Sequence, residues 1–272
     1  MPVLVTAAHR PIARRIAARL LEEGGEVRAF TDADVASLRA AGAFVASGTW
    51  DDVGLLEAAL AEVHTVVHVG GGIAETDPSR IVREVEVVAS AATGAGVRRL
   101  IALSLPGAGP RAQDPIRRAK GEAEEVVAAI PCPTIVVRAS LIDTPGLRDV
   151  LATAGLSGEQ RDIEVAPVRA EDLIELVLAL DRARARATEG HLVVAADGPV
   201  RMTIGAYLAR VGVGPPGSQA LVGRRLPSPE RLRALADVLG GPWWTDDPVI
   251  LDGWRFADRQ PAPPGHADAA GG

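Results

Sequence analysis

Cysteine is almost missing from this chain of 272 residues: Cys132 stands alone. That excludes a disulfide framework and any zinc site built on thiolates. Tyrosine is as scarce, with Tyr207 alone, and aromatic side chains make up 3% of the chain. Lysine is the third rarity. Of 29 basic side chains, Lys120 is the single lysine and the rest are arginine. No apolar run approaches the ~18 residues that span a bilayer, and no charged-then-apolar leader opens the chain. A cytoplasmic location without a membrane partner is therefore expected. Acidic side chains outnumber basic ones, 35 to 29, for a net charge of −6. The arginines are dispersed, as at Arg14-Arg15, Arg98-Arg99, Arg117-Arg118 and Arg224-Arg225. Phosphate-backbone recognition needs clustered positive charge, so a nucleic-acid partner is not expected. No histidine pair has metal-ligand spacing and no Gly-x-Ser-x-Gly elbow occurs, so neither a metal site nor a hydrolase triad is expected.

What is present is a globular composition, 47% hydrophobic and 24% charged, arranged as alternating short apolar strands and amphipathic helices. Strands are predicted at 3–6, 26–30, 44–46, 65–69, 99–104, 134–138 and 191–195. Helices are predicted at 11–23, 35–41, 53–61, 80–95, 115–129, 170–180, 203–211 and 228–239. The strands are continuously apolar, the pattern of a parallel sheet buried on both faces. The expected fold is α/β: a doubly wound, mostly parallel Rossmann-type sheet with a small C-terminal substrate-covering region. Residues 1–200 would form the Rossmann-type domain, 201–258 a lid packed on it, and 259–272 a frayed tail. Ligands of such sheets sit at the carboxyl ends of the strands, which directs attention to the loops there.

The order of several landmarks is similar to that of atypical short-chain dehydrogenase/reductases of the NmrA-like or epimerase-like kind, over residues 1 to 210. They are Val3-Leu4-Val5-Thr6 running into an arginine-rich helix, Ser47 to Asp52, Val66 to Gly71, Gly94 to Ser104, Ala119 to Glu124, Val136 to Ser140, and Pro167 to Asp172. The family's cofactor loop is Thr-Gly-x-x-Gly-x-x-Gly. Here it reads Thr6-Ala7-Ala8-His9-Arg10-Pro11-Ile12-Ala13, with all three glycines replaced. Those glycines serve a tight turn, close approach to the pyrophosphate, and helix–strand packing. Ala7 and Ala13 are mild changes, but Arg10 puts a long side chain where a phosphate meets backbone. The residues as they stand imply no dinucleotide cofactor. NAD(H) or NADP(H) enters only if Arg10 swings out to pair with a phosphate. Thr6, Arg10, Ile12, Asp32, Asp51 and Gly70 are then the cofactor-binding candidates, with Asp32 disfavouring the extra phosphate of NADP.

The family's catalytic set is Ser plus Tyr-x-x-x-Lys. Ser104 and Lys120 match, but the tyrosine position is Ile116, which cannot carry a proton. The catalytic candidates are Ser104, Lys120 and Asp143. The candidates for a substrate pocket are His9, His68, Gly71, Ser140, Trp243 and Trp244. The resemblance also makes a homodimer through helices near Lys120 an open expectation. Loss of the tyrosine and the glycines together leads to the expectation of a non-redox enzyme. The expected activity is that of a cyclase, isomerase, dehydratase or lyase acting on a small apolar metabolite of bacterial secondary metabolism. The alternatives are an NAD(P)-dependent reductase or epimerase with an unusual phosphate loop, and a non-catalytic NmrA-like ligand sensor.

Overall fold

The computed structural model describes residues 1–183, 190–212 and 228–243. Seven strands form one parallel sheet: β1 (Val3–Thr6), β2 (Val27–Thr31), β3 (Phe44–Ser47), β4 (Thr65–His68), β5 (Arg99–Ser104), β6 (Thr134–Ala139) and β10 (His191–Ala196). Their spatial order is β10-β6-β5-β4-β1-β2-β3, so the order reverses between β1 and β4. That reversal opens the crevice in which doubly wound sheets take ligands. Every residue of β1, β4 and β5 is buried, which is why their sequences run apolar without alternation.

One face is covered by α1 (Pro11–Glu22), α2 (Ala36–Ala40) and α8 (Ala170–Arg182), and the other by α3 (Val53–Leu60), α4 (Ser79–Gly94) and α5 (Pro115–Ala128). The helices dock by apolar stripes. Ile81, Val85 and Val88 of α4 are at most 4% exposed, each worth about 1.5–3 kcal/mol of burial. Helix ends are set by side chains: Asp114 accepts from the Arg117 N–H ahead of Pro115 in α5, and Asp52 caps α3. Such caps are worth about 1 kcal/mol each.

Beyond β6 the chain makes short pieces that apolar periodicity does not announce. They are β7 (Ile142–Asp143), α6 (Pro145–Thr153), α7 (Gly158–Arg161), β8 (Glu164–Val165), β9 (Val168–Arg169) and β11 (Met202–Thr203), whereas α9 (Ile204–Arg210) and α10 (Pro229–Leu239) fall where helices are predicted at 203–211 and 228–239. Strand β7 pairs with β9, and β8 with β11. Helix α10 packs on α5. The C-terminal region expected at 201–258 is thus described in part. Trp244 and the tail at 259–272 lie outside the described residues. No described helix is long and apolar enough to cross a membrane.

Candidate active site at the strand ends

The loop after β1 keeps its course without glycine. Ala7 takes the left-handed conformation, φ 50°, the turn for which a glycine is the usual residue. Arg10 is the N-cap of α1 with φ −72° and ψ 143°, an extended backbone open to any residue. Ala13 is fully buried where helix meets sheet. Ile12 points into the same core and is 8% exposed. The Arg10 side chain crosses to the loop after β4. Its guanidinium is the nearest group to a Cβ built on Gly72 and lies 3.9 Å from the Glu75 carboxylate.

His68 ends β4, buried, with Nδ1 2.9 Å from the Thr6 hydroxyl. Thr6 also accepts from the Val69 N–H, and the ring tautomer sets the direction of its bond to Nδ1. The ring's Nε2 is buried and has no hydrogen-bond partner. Burial, then the positive charges of Lys120 and Arg10, hold the His68 pKa down at about 3, so the ring is neutral. The ring curls over Gly70: a Cβ there would stand 2.2 Å from Nε2. Its other side meets Trp50 edge-on at 6.0 Å. Gly71 takes φ 62° and has no room for a Cβ beside Ile81.

Lys120 of α5 is 5% exposed. Its Nζ donates to the Gly70 and Leu103 carbonyls, binding the ends of β4 and β5. Burial and the neighbouring Arg10 lower its pKa to about 8, with Glu84 and Glu124 opposing. Ser104, at the end of β5, donates to Glu124 of α5. The same carboxylate accepts from Arg138 Nε and Nη2. Ile116, at the tyrosine position, is 2% exposed and part of the core.

A second polar group lies at the end of β2. His9 Nδ1 is 3.0 Å from the Thr31 hydroxyl and 3.2 Å from Asp32, and Arg80 lies 3.6 Å from the same carboxylate. Burial lowers the His9 pKa against the pull of Asp32. Arg80 Nε also donates to Glu84, whose Oε2 is buried without a partner.

The structure therefore brings Thr6, Arg10, His68, Gly70, Gly71, Ser104 and Lys120 to one region, with His9 and Asp32 beside it. The other candidates stand elsewhere. Asp51 is exposed in the turn before α3. Asp143 accepts two bonds from Arg148 and one from Tyr207, 2.6–2.7 Å each. Burial pushes Asp143 up, but those donors outweigh it and hold its pKa low. Burial and Asp143 raise that of Tyr207, and the three side chains of Asp143, Arg148 and Tyr207 brace one another. Ser140 donates to the Trp243 carbonyl. Trp243 is fully buried, with Arg117 4.9 Å above its ring. Arg117 also donates to the Pro106, Val238 and Pro242 carbonyls. The expected pocket wall at Trp243 is corrected to an anchor that seats α10. A neighbouring cleft of about 530 Å³ between Gly107, Asp114 and Gly241 does not include the indole among its lining residues. Among the described residues no cluster of His, Cys, Asp and Glu could hold a metal ion.

Sequence reading passed over Glu124, Glu84, Arg80 and Trp50. Glu124 follows Lys120 by four residues and so shares its helix face. Glu84 is a carboxylate set within the apolar stripe of α4. Both signals are helical spacing.

Residues 7–170 match the model of the NAD(P)H-binding family, and the chain belongs to that family. It is 30% identical over 184 residues to (4-alkanoyl-5-oxo-2,5-dihydrofuran-3-yl)methyl phosphate reductase of Streptomyces griseus, covering 65% of this chain. The chain spans 62% of that relative's length. Among solved structures it is similar to triphenylmethane reductase of a Citrobacter species with NADP(H) (TM-score 0.67, 17% identity, 88% of this chain and 89% of that one). It is also similar to UDP-glucose 4-epimerase of Thermus thermophilus with NAD (TM-score 0.64, 18% identity, 87% and 93%). The Rossmann-type fold is thereby shared.

These findings overturn the expectation of a non-redox enzyme without a cofactor. The family is NAD(P)H-binding, and the relative at 30% identity is named as a reductase. The physical reason lies in the loop: Ala7 holds the left-handed turn, Arg10 needs no glycine conformation, and the Arg10 side chain leaves the end of α1 for the Glu75 loop. A dinucleotide fits the residues present. The turn is intact, the Arg10 guanidinium has one long ion pair among the described residues, and His68 Nε2 is buried without a partner.

Proposed function

We propose that this chain is an NAD(P)H-dependent reductase acting on a compact, electron-poor unsaturated carbonyl compound. The Thr6–Ile12 loop, Asp32 and Gly70 would hold the dinucleotide, which when bound supplies a hydride. The observation that carries the substrate class is the state of the proton carriers. Ile116 is buried in the tyrosine's place, and the Ser104 proton is committed to Glu124. Reducing a simple ketone leaves an alkoxide that requires an acid. Hydride addition to an alkene conjugated with carbonyl groups leaves an enolate, whose charge is spread over the carbonyl oxygens. An enolate needs electrostatic stabilisation first and a proton later, from water. Lys120, held charged below about pH 8 at the junction of β4 and β5, supplies a positive field there. The relative's printed name supports this reading, since it spells out a ring alkene flanked by carbonyl groups.

The test is reduced-nicotinamide oxidation with an acyl butenolide and, separately, a saturated ketone of the same size. Turnover of the butenolide alone is expected. Turnover of the ketone alone would overturn the substrate class. Dinucleotide binding with no turnover of either would move the protein to the ligand-sensing reading.

A further inference from the structure

We infer that Arg10 grips the dinucleotide's pyrophosphate with its side chain, a task the family gives to bare glycine backbone, and that Glu75 holds the guanidinium until the phosphates arrive. This rests on the cofactor-dependent reading above. Arg10 has an ordinary extended backbone at the N-cap of the twelve-residue α1, so a side chain there costs the loop nothing. That side chain is 21% exposed and lies within the site. Its one ion pair among the described residues, with Glu75 at 3.9 Å, is too long for a hydrogen bond. A guanidinium with five donors and one loose partner is matched to an anion with two rows of oxygens.

Two further observations point to the same ligand. His68 Nε2, buried against Gly70, has no hydrogen-bond partner in the protein. The Gly70–Gly72 loop that it faces is the one Arg10 lies across. The positive field of Arg10 is felt by His9, His68 and Lys120, which come from the β1 loop, β4 and α5. The guanidinium is therefore central to the site and not at its rim. Glu75 is the carboxylate paired with this charge in the free protein. Glu75 can release Arg10 at little cost because the pair, 3.9 Å apart and without a hydrogen bond, is weak. The N-terminal dipole of α1 adds to the same attraction.

The experiment is calorimetric titration of NADH and NADPH into the full chain and into Arg10→Ala, Arg10→Lys and Glu75→Gln, at low and high salt. Circular dichroism melting confirms that each variant folds. Loss of a charge-assisted grip predicts that Arg10→Ala weakens both dinucleotides equally, by about 10- to 100-fold, and flattens the salt dependence. Arg10→Lys restores part of the loss, and Glu75→Gln tightens binding about two- to fivefold. If the natural chain binds neither dinucleotide, the cofactor-dependent reading itself fails. If it binds and Arg10→Ala binds as tightly or tighter, the reading stands and this inference falls. Weakening confined to NADPH would transfer Arg10 to the 2′-phosphate and overturn the assignment. So would weakening confined to a phosphorylated butenolide, which would make the substrate's phosphate the partner.

Discussion

Lys120 donates to the carbonyl of Gly70, fifty positions earlier in the chain, and through a second bond to Leu103 holds the ends of β4 and β5 at one distance from α5. In a protein that otherwise uses arginine for every positive charge, this position needs a compact ammonium. A planar guanidinium could not enter the narrow gap between two strand ends and reach both carbonyls from one atom. The cost is a charge buried at 5% exposure, visible as a pKa drawn down to about 8.

That cost predicts a pH dependence of stability. The folded pKa is below the unfolded one of 10.5. Below about pH 8 both states carry the proton and the folded state bears the full cost of the buried charge. Between about 8 and 10.5 the unfolded chain binds more protons than the folded one, so stability rises with pH. The whole rise is about 3 kcal/mol. Lys120→Met lacks it. Urea unfolding of both proteins across the window, subtracted one from the other, measures the effect. A difference that does not grow with pH would mean that Lys120 titrates as an exposed lysine.

Gly70→Ala is expected to destabilise by more than about 2 kcal/mol, because the new methyl would stand 2.2 Å from His68 Nε2. The ring has no free direction, with Thr6 on one side and Trp50 on the other. His68→Ala makes room, so the double variant should regain part of the loss. A double-mutant cycle by chemical denaturation should give a coupling of about 1–3 kcal/mol. Strict additivity would show that the backbone at Gly70, and not the imidazole, absorbs the strain.

Much of this was legible in sequence, and the parts that were not have physical reasons. Strands such as Arg99–Ser104 and helices such as Pro115–Ala128 fall where apolar runs and helical periodicity place them, because buried strands and one-sided helices leave a periodic record. The short pieces between Ser140 and Arg169 leave none. Strands of two residues, such as Ile142–Asp143, are too short for a period and are fixed by partners distant in sequence. In the site, Ser104 and Lys120 follow from the resemblance to the family's Ser and Tyr-x-x-x-Lys set, and His68 and Gly70 from their place at the end of β4. Glu124 was passed over because its role depends on reaching back to β5 and β6, to Ser104 and Arg138. The glycine loop was over-read: identity was taken for conformation, whereas Ala7 reaches the left-handed turn with its methyl in place.

Ala7 supplies its own test. An L-residue in that conformation costs about 1–2 kcal/mol, but the buried methyl returns part of this through burial, and glycine adds freedom to the unfolded chain. Ala7→Gly should therefore shift stability by less than about 1 kcal/mol in either direction. Ala7→Val should cost more than about 2 kcal/mol, since a β-branched residue with positive φ is strongly disfavoured. Thermal melts of both variants decide it. A valine variant as stable as the natural protein would show that the turn relaxes to negative φ.

The last prediction concerns which group at the strand ends does the chemical work. Ser104 gives its proton to a carboxylate that is itself clamped by two Arg138 bonds. A hydroxyl so engaged has only lone pairs to offer a substrate, so Ser104→Ala should lower kcat/KM on a conjugated lactone by less than about tenfold. Lys120→Met removes the positive field at the β4–β5 junction and should lower it by about 10²–10³, the loss typical of a group that stabilises developing negative charge. The two variants differ further in pH profile: the Ser104→Ala rate should still fall as Lys120 loses its proton above about pH 8, and the Lys120→Met rate should not. A loss of 10² or more from Ser104→Ala would mean that the serine leaves Glu124 and donates to the substrate in the complex. The acid requirement would then be met after all, and simple carbonyl compounds would return as substrates.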